Sequence, residues 1–168
     1  MHHDHASLAG VDENTFKAAM RCIASTVTVI TSRSGAKTNG MTATAVCSVS
    51  AVPPCILIVV NQTNRSHALI AEAGGFAVNV LSAEQTDLAQ HFARKSDDPL
   101  QSVKTRDGVT GVPVIDGCAA LLECVVQQRI ESGTHSVFIG RVVATQETDR
   151  SPLMYWNGDY VELTAKPA

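Results

Sequence analysis

Residues 38–61 read TNGMTATAVCSVSAVPPCILIVVN, and the pattern of this stretch decides the fold. From Met41 to Val52 the side chains alternate. Met41, Ala43, Ala45, Cys47, Val49 and Ala51 fall on one side, and Thr42, Thr44, Ser48 and Ser50 on the other, with Val46 the exception. A period of two is the strand period, so one extended segment is predicted here, with an apolar face to bury and a face of hydroxyls. Pro53-Pro54 stops it, and Cys55 to Val60 follows as a second, wholly apolar strand. Short hydroxyls beside a buried face can wall a ligand site. A half-buried strand with a solvated Ser/Thr face gives the same pattern.

Working outward, residues 12–25 have Phe16, Ala19, Met20 and Ile23 at helical spacing, with Asp12 or Asn14 as caps. Residues 26–32 (TVTVITS) are β-branched and predict a strand. A turn over 33–40 joins it to the central stretch as a hairpin. After Val60 comes the polar loop Asn61-Gln62-Thr63-Asn64-Arg65, then Ser66 capping a helix over 67–72 that Gly74-Gly75 ends. Residues 76–81 (FAVNVL) are a strand. Ser82 with Gln85 is a capping-box pair, opening a helix with Leu88, Ala89 and Phe92 on its apolar face. Residues 94–107 are the loosest part and a candidate lid. Two long strands, 118–130 and 135–145, flank a tight turn at 131–134, and an Asn157-Gly158 turn flanked by aromatics lies near the end. Strands mostly follow strands through short turns, which favours an antiparallel sheet or barrel over a parallel one.

At 168 residues one domain is expected, over 12–168, preceded by a disordered tail over 1–11. Hydrophobic residues make up 45% and charged residues 17%, the balance of a globular chain. The net charge is −3 and the Lys and Arg residues are scattered, so nothing supports nucleic-acid binding. The apolar runs are too short or too interrupted to predict a membrane span, and the first residues have no apolar signal-peptide core. His2, His3 and His5 could chelate a metal, but a frayed tail explains them more simply. Five cysteines without metal-ligand spacing predict reduced, buried thiols in a cytoplasmic protein.

No glycine-rich dinucleotide fingerprint, P-loop or nucleophile elbow is present. Three features remain. The loop from Asn61 to His67 ends at a helix start and contains Arg65 and Ser66, donors that suit a phosphate; an ordinary capped helix with an exposed Arg fits equally. His135 stands at a hairpin turn, where it can orient a ligand or move a proton, or be a lone surface histidine. The third feature is the hydroxyl-lined strand itself.

The motifs in order add more. Residues 21–30 are followed by Asn39-Gly40-Met41-Thr42-Ala43-Thr44-Ala45, Ser48-Val49-Ser50-Ala51-Val52-Pro53-Pro54, Phe76-Ala77-Val78-Asn79-Val80-Leu81, Leu88-Ala89-Gln90-His91-Phe92-Ala93, Gly133-Thr134-His135 with Gly140, and Pro152-Leu153-Met154-Tyr155-Trp156-Asn157-Gly158. Together, from about Phe16 to Leu163, this series resembles the flavin reductase family. The resemblance implies a mainly β (α+β) fold, an antiparallel Greek-key FMN-binding split barrel with a few short helices. It further implies a homodimer, and the reductase component of a two-component flavin-dependent monooxygenase. Such a protein passes a hydride from NADH or NADPH to FMN or FAD and supplies reduced flavin to its partner oxygenase. By the same resemblance Thr42, Ala43, Thr44 and Ala45 run along the flavin ring, chiefly through backbone amides. Ser48, Val49 and Ser50 lie near the ribityl chain or ring, and Asn61, Arg65, Ser66 and His67 hold the phosphate. His135 lies near the nicotinamide as a positioning group. Two positions depart from the family pattern: Thr44-Ala45 replaces Asn-Ser, and Thr134 replaces the Asp that precedes the histidine. They leave open a flavin-binding carrier without reductase activity, and more distantly an interaction domain.

Overall fold

The computed structural model describes residues 8–164. The histidines near the start and most of the predicted tail lie outside them. Asp12 caps the first helix, α1 (Glu13–Met20), accepting from the backbone N–H of Asn14 and Thr15 at 2.9 and 3.1 Å. The helix is shorter than the periodicity predicts, and none of its residues is buried. Phe16 remains 55% exposed, so among the described residues its apolar stripe has no partner.

The remainder is mostly strand. In order come β1 (Ser25–Thr26), β2 (Thr28–Ser34), β3 (Lys37–Ala43), β4 (Val46–Ala51), β5 (Pro54–Asn61) and α2 (Arg65–Ala73). Then follow β6 (Gly75–Val80), a 3-10 turn (Ala83–Gln85), α3 (Thr86–Ala93), β7 (Thr105–Asp107), β8 (Pro113–Ile115), β9 (Ala120–Ser132), β10 (His135–Glu147), β11 (Met154–Trp156) and β12 (Asp159–Val161). Seven strands form one sheet in the order β3-β2-β6-β9-β10-β5-β4, every pair antiparallel.

The two edges of that sheet belong to one continuous segment. β3 pairs with β2 as far as Ala43; after Thr44-Ala45 the chain pairs with β5, Val46 opposite Ile58, and the Ala45 carbonyl accepts from Val59 N–H at 3.2 Å. The single strand predicted over 41–52 is therefore two strands that meet at a bend and close the sheet into the split barrel. The bend also undoes the predicted apolar face. Met41, Ala43 and Val46 pack against the core, but Cys47, Val49 and Ala51 on β4 are exposed. Crossing the bend shifts the inward parity by one residue, which is why Val46 broke the alternation.

Inside the barrel lie Ile30, Ile56, Ile58, Val60, Ile70, Phe76, Val78, Cys124 and Phe138. A second cluster, with Val27, Val29, Leu81, Ala89, Phe92, Ile115 and Leu153, fills the space between the outer sheet face and α3. Both faces of β2 are thus covered, so Thr28 to Ser32 are all buried where a one-sided strand would alternate. Its turn is tighter than predicted, two residues between Ser34 and Lys37. The 3-10 turn precedes α3, and the Gln85 side chain accepts from Ser82 N–H at 3.0 Å as the capping-box pattern predicts. Of the five cysteines, only Cys118 and Cys124 are buried; Cys22 and Cys47 are exposed, against the prediction. No helix among the described residues is long and apolar enough to cross a membrane.

Candidate functional site

The ladder between β5 and β10 joins two sequence features that lie far apart. Asn61 stands directly opposite His135. Directly opposed residues of an antiparallel pair point to the same face with Cβ atoms about 5 Å apart. The loops beyond them are laced together: Gln62 N–H donates to the Thr134 carbonyl at 3.0 Å, and the Gln62 side chain donates to the His135 carbonyl at 3.4 Å. The hairpin tip is a two-residue turn, Ser132 opposite His135, with positive φ at Gly133 alone. That is the signature of a type II′ turn, which presents Thr134 and His135 on a stiff corner.

At the N-terminus of α2 the sequence folds against itself. Asn61 Oδ1 accepts from Thr63 N–H at 2.9 Å, and Asn64 N–H donates to the Asn61 carbonyl at 2.9 Å. Asn64, rather than Ser66, is the cap; its Oδ1 accepts from Ser66 N–H at 2.9 Å, and its carbonyl takes His67 N–H. Ser66 is completely buried, and its hydroxyl accepts from Asn39 Nδ2 at 2.8 Å. Most amides of the predicted phosphate cradle are therefore already bonded. An anion bound here would be held by side chains.

Those side chains line a cleft of about 690 Å³ between the start of β3, the N-terminus of α2 and the chain leaving α3. Asn39, Gly40 and Met41 form one wall, Asn61, Thr63, Asn64 and Arg65 a second, and Phe92 to Asp97 with Pro99 a third. Gly40 is required: a Cβ there would meet the Phe92 ring at 2.5 Å. The third wall, predicted as a loose lid, is fastened at two points. Arg65 donates to the Asp97 carbonyl, and His91 Nε2 bonds the Pro99 carbonyl at 2.7 Å. Arg94 and Lys95 have no side-chain hydrogen-bond or ion-pair partner among the described residues. Three cations on one polar rim suit a phosphate-bearing ligand.

The predicted residues divide clearly. Asn61 and Arg65 line the cleft. His135 flanks it through its ladder pairing with Asn61; its Nδ1 lies 2.9 Å from Thr134 Oγ1. Thr42 and Ala43 continue along β3 from the cleft wall. The Thr42 hydroxyl is spent on the Ala89 carbonyl of α3 at 2.6 Å. Thr44 and Ala45 form the exposed bend. β3 ends the sheet, so among the described residues alternate backbone groups on its outer edge have no strand partner. Ser48, Val49 and Ser50 lie on β4, opposite the far half of β5, and Ser50 Oγ accepts from Val52 N–H at 3.2 Å. Ser48 is opposite Ile56, five residues or about 17 Å of strand from Asn61. His67 turns inward, its Nε2 2.9 Å from Ser136 Oγ and its ring edge-on to Phe138. Burial, helped by the Arg129 charge, lowers its pKa below the ordinary histidine value, which favours a neutral ring.

The sequence alone does not place Asn39, Phe92, Arg94 or Lys95 in the site. Arg94-Lys95 after the apolar face of α3 was the available signal: two adjacent cations at a helix end.

The chain matches a family profile described as "Flavin reductase like domain" over residues 20–164. It is 37% identical over 150 residues to the protein named "Probable flavin reductase" from Rhizobium meliloti (strain 1021), covering 89% of this chain but 48% of that one; this chain spans about half of that relative's length. It is 36% identical over 156 residues to the 4-hydroxyphenylacetate 3-monooxygenase reductase component of Pseudomonas aeruginosa, covering 90% and 92% of the two chains. Among solved structures, the NADH:FAD oxidoreductase SgcE6 of Streptomyces globisporus C-1027 superposes with a TM-score of 0.88 at 30% identity, covering 95% of this chain and 98% of the other.

Proposed function

This chain belongs to the flavin reductase family, and we propose that it is an NAD(P)H:flavin oxidoreductase whose flavin binds with its phosphate in the Arg65–Lys95 cleft and its ring along the outer edge of β3. The observation that carries this reading is one of position. The three-cation rim and the unpaired edge of β3 are contiguous, since Asn39 to Met41 belong to both. A bound FMN or FAD supplies an acceptor for a hydride from NADH or NADPH. The chain's own residues supply the rest. Arg65, Arg94 and Lys95 neutralise phosphate, backbone groups of residues 42–45 face the polar edge of the ring, and His135 orients the nicotinamide.

The functional unit proposed is residues 12–168, working in the cytoplasm as a homodimer and delivering reduced flavin to a separate monooxygenase. Five unbonded cysteines fit a reducing compartment. The exposed apolar stripe of α1 and the exposed strand β4, where Val49 is 48% exposed, fit a surface that a second copy covers. The relation to a monooxygenase reductase component supports the delivery role.

Mixing the purified protein with NADH or NADPH and with FMN or FAD, and following nicotinamide absorbance, tests the activity. Flavin-dependent oxidation with at least one pair is expected. Flavin that binds stoichiometrically yet is bleached only by a chemical reductant would instead make the chain a carrier. Light scattering coupled to size exclusion tests the dimer.

A further inference from the structure

The turn that carries His135 holds a second polar side chain, Thr134, at a position where the sequence departs from the family pattern. Thr134 is the last residue of the two-residue turn, and its Oγ1 lies 2.9 Å from Nδ1 of His135. Its carbonyl is already taken by Gln62 N–H, and the next residue's carbonyl by the Gln62 side chain, so the backbone of this corner cannot swing. With backbone and turn fixed, the imidazole is left with the freedom to rotate and to exchange tautomers, and Thr134 Oγ1 is the side-chain group that restrains both.

From this geometry we infer that Thr134 is a positioning residue. Its hydroxyl donates to Nδ1 of His135, so the neutral ring carries its proton on Nε2 and presents an N–H donor toward the nicotinamide side. A hydroxyl can donate or accept a hydrogen bond, so the 2.9 Å contact fits either tautomer, and donation from Oγ1 to Nδ1 is the arrangement inferred and put to the test below. A carboxylate at the same place could only accept, and would hold the proton on Nδ1. In this arrangement Thr134 leaves the donor at Nε2, which suits the carbonyl oxygen of a carboxamide, the chemical class of the nicotinamide amide. The inference rests on the proposed placement of His135 beside the nicotinamide.

Steady-state kinetics with NADH varied at saturating FMN separate the possibilities, using wild type, T134A, T134S, H135A and T134A/H135A. We expect T134A to raise KM for NADH by roughly five- to tenfold with kcat largely kept, as for a lost orienting contact. T134S, which retains the hydroxyl, should restore the wild-type KM, and the double variant should be no worse than H135A alone. Long-range 15N–1H spectra of the imidazoles, assigned with H135Q, give a readout independent of activity. The His135 Nδ1 should be unprotonated in wild type and mixed between tautomers in T134A. Near wild-type kinetics for T134A beside an impaired H135A would overturn the role of Thr134 while leaving that of His135. Near wild-type kinetics for H135A would overturn the placement of His135, and with it the inference. A His135 Nδ1 protonated in wild type would overturn the direction of the bond.

Discussion

Glu123 and Arg65 are both charged side chains set against a loop, and the molecule treats them in opposite ways. Glu123 on β9 is 2% exposed, and its carboxylate accepts from Val109 N–H, Thr110 N–H and Thr110 Oγ1 at 3.1, 2.9 and 2.7 Å. The loop wraps it so closely that a Cβ at Gly108 would sit 2.3 Å from a carboxylate oxygen. Arg65 faces the opposite situation. Its side chain makes one bond to a backbone carbonyl, and the side chains of its neighbours on the rim, Arg94 and Lys95, make none among the described residues. A buried charge must be saturated by the protein itself, because water cannot reach it. A charge left unsaturated on a cleft wall is available to something else. Where the fold completes the bonding it gains stability, and where it leaves bonding open it has room for a ligand.

The largest effect should come from breaking the saturated side. Glu123→Ala orphans three donors and opens a void, so it should cost about 3 kcal/mol of unfolding free energy. Denaturant titration reads this directly, and flavin affinity measured below the transition should change little. A variant as stable as the parent would contradict the assigned role. Breaking the open side should do the reverse. Arg65→Ala and Lys95→Ala should each weaken FMN by roughly fivefold, leave riboflavin binding nearly unchanged, and barely move the melting temperature, since the first loses one exposed charge-assisted contact and the second none among the described residues. Equal losses for FMN and riboflavin in fluorescence-quenching titrations would remove the phosphate from this cleft.

A third comparison sharpens the contrast through pH. Burial pushes the thiols of Cys118 and Cys124 up to about 11 and about 12. The unfolded chain releases those protons first, near the ordinary thiol value of about 8.5. Their contribution to stability is therefore complete below that value and is lost as pH rises toward 11–12. Denaturation midpoints of wild type should fall more steeply over this alkaline range than those of Cys118→Ala/Cys124→Ala. Parallel curves would show that the two buried thiols do not govern the loss.

Much of this architecture is legible in local pattern. The β-branched run at 26–32, the apolar run at 55–60, the capping pair Ser82 and Gln85 and the Asn157-Gly158 turn all mark elements found in the structure. Each rests on interactions within a few residues. The bend at Thr44-Ala45 is not legible, because the alternation runs through it and only closure of the sheet decides where the pairing changes. For the same reason the exposure of Cys47 and Val49 escapes a reading of periodicity, which says that a face exists but not what covers it. The site shows a similar split. The loop at Asn61–Arg65 and the turn at His135 are visible as polar interruptions, but that they are ladder partners depends on a pairing 74 residues apart in sequence. Ser66 illustrates the opposite case: a hydroxyl at a helix start suggests a ligand contact, and in the fold that hydroxyl accepts from the buried Asn39.

The bend has a kinematic consequence. Two residues separate the last partner of β2 from the first partner of β5, too few to hold any slack. The strand that borders the proposed ring site and the strand that carries Asn61, and through it His135, are joined through β4 as links of a closed hoop. Neither edge of the sheet can be displaced without pulling on the other, so a ligand seated against β3 and the histidine across the barrel wall share one mechanical frame.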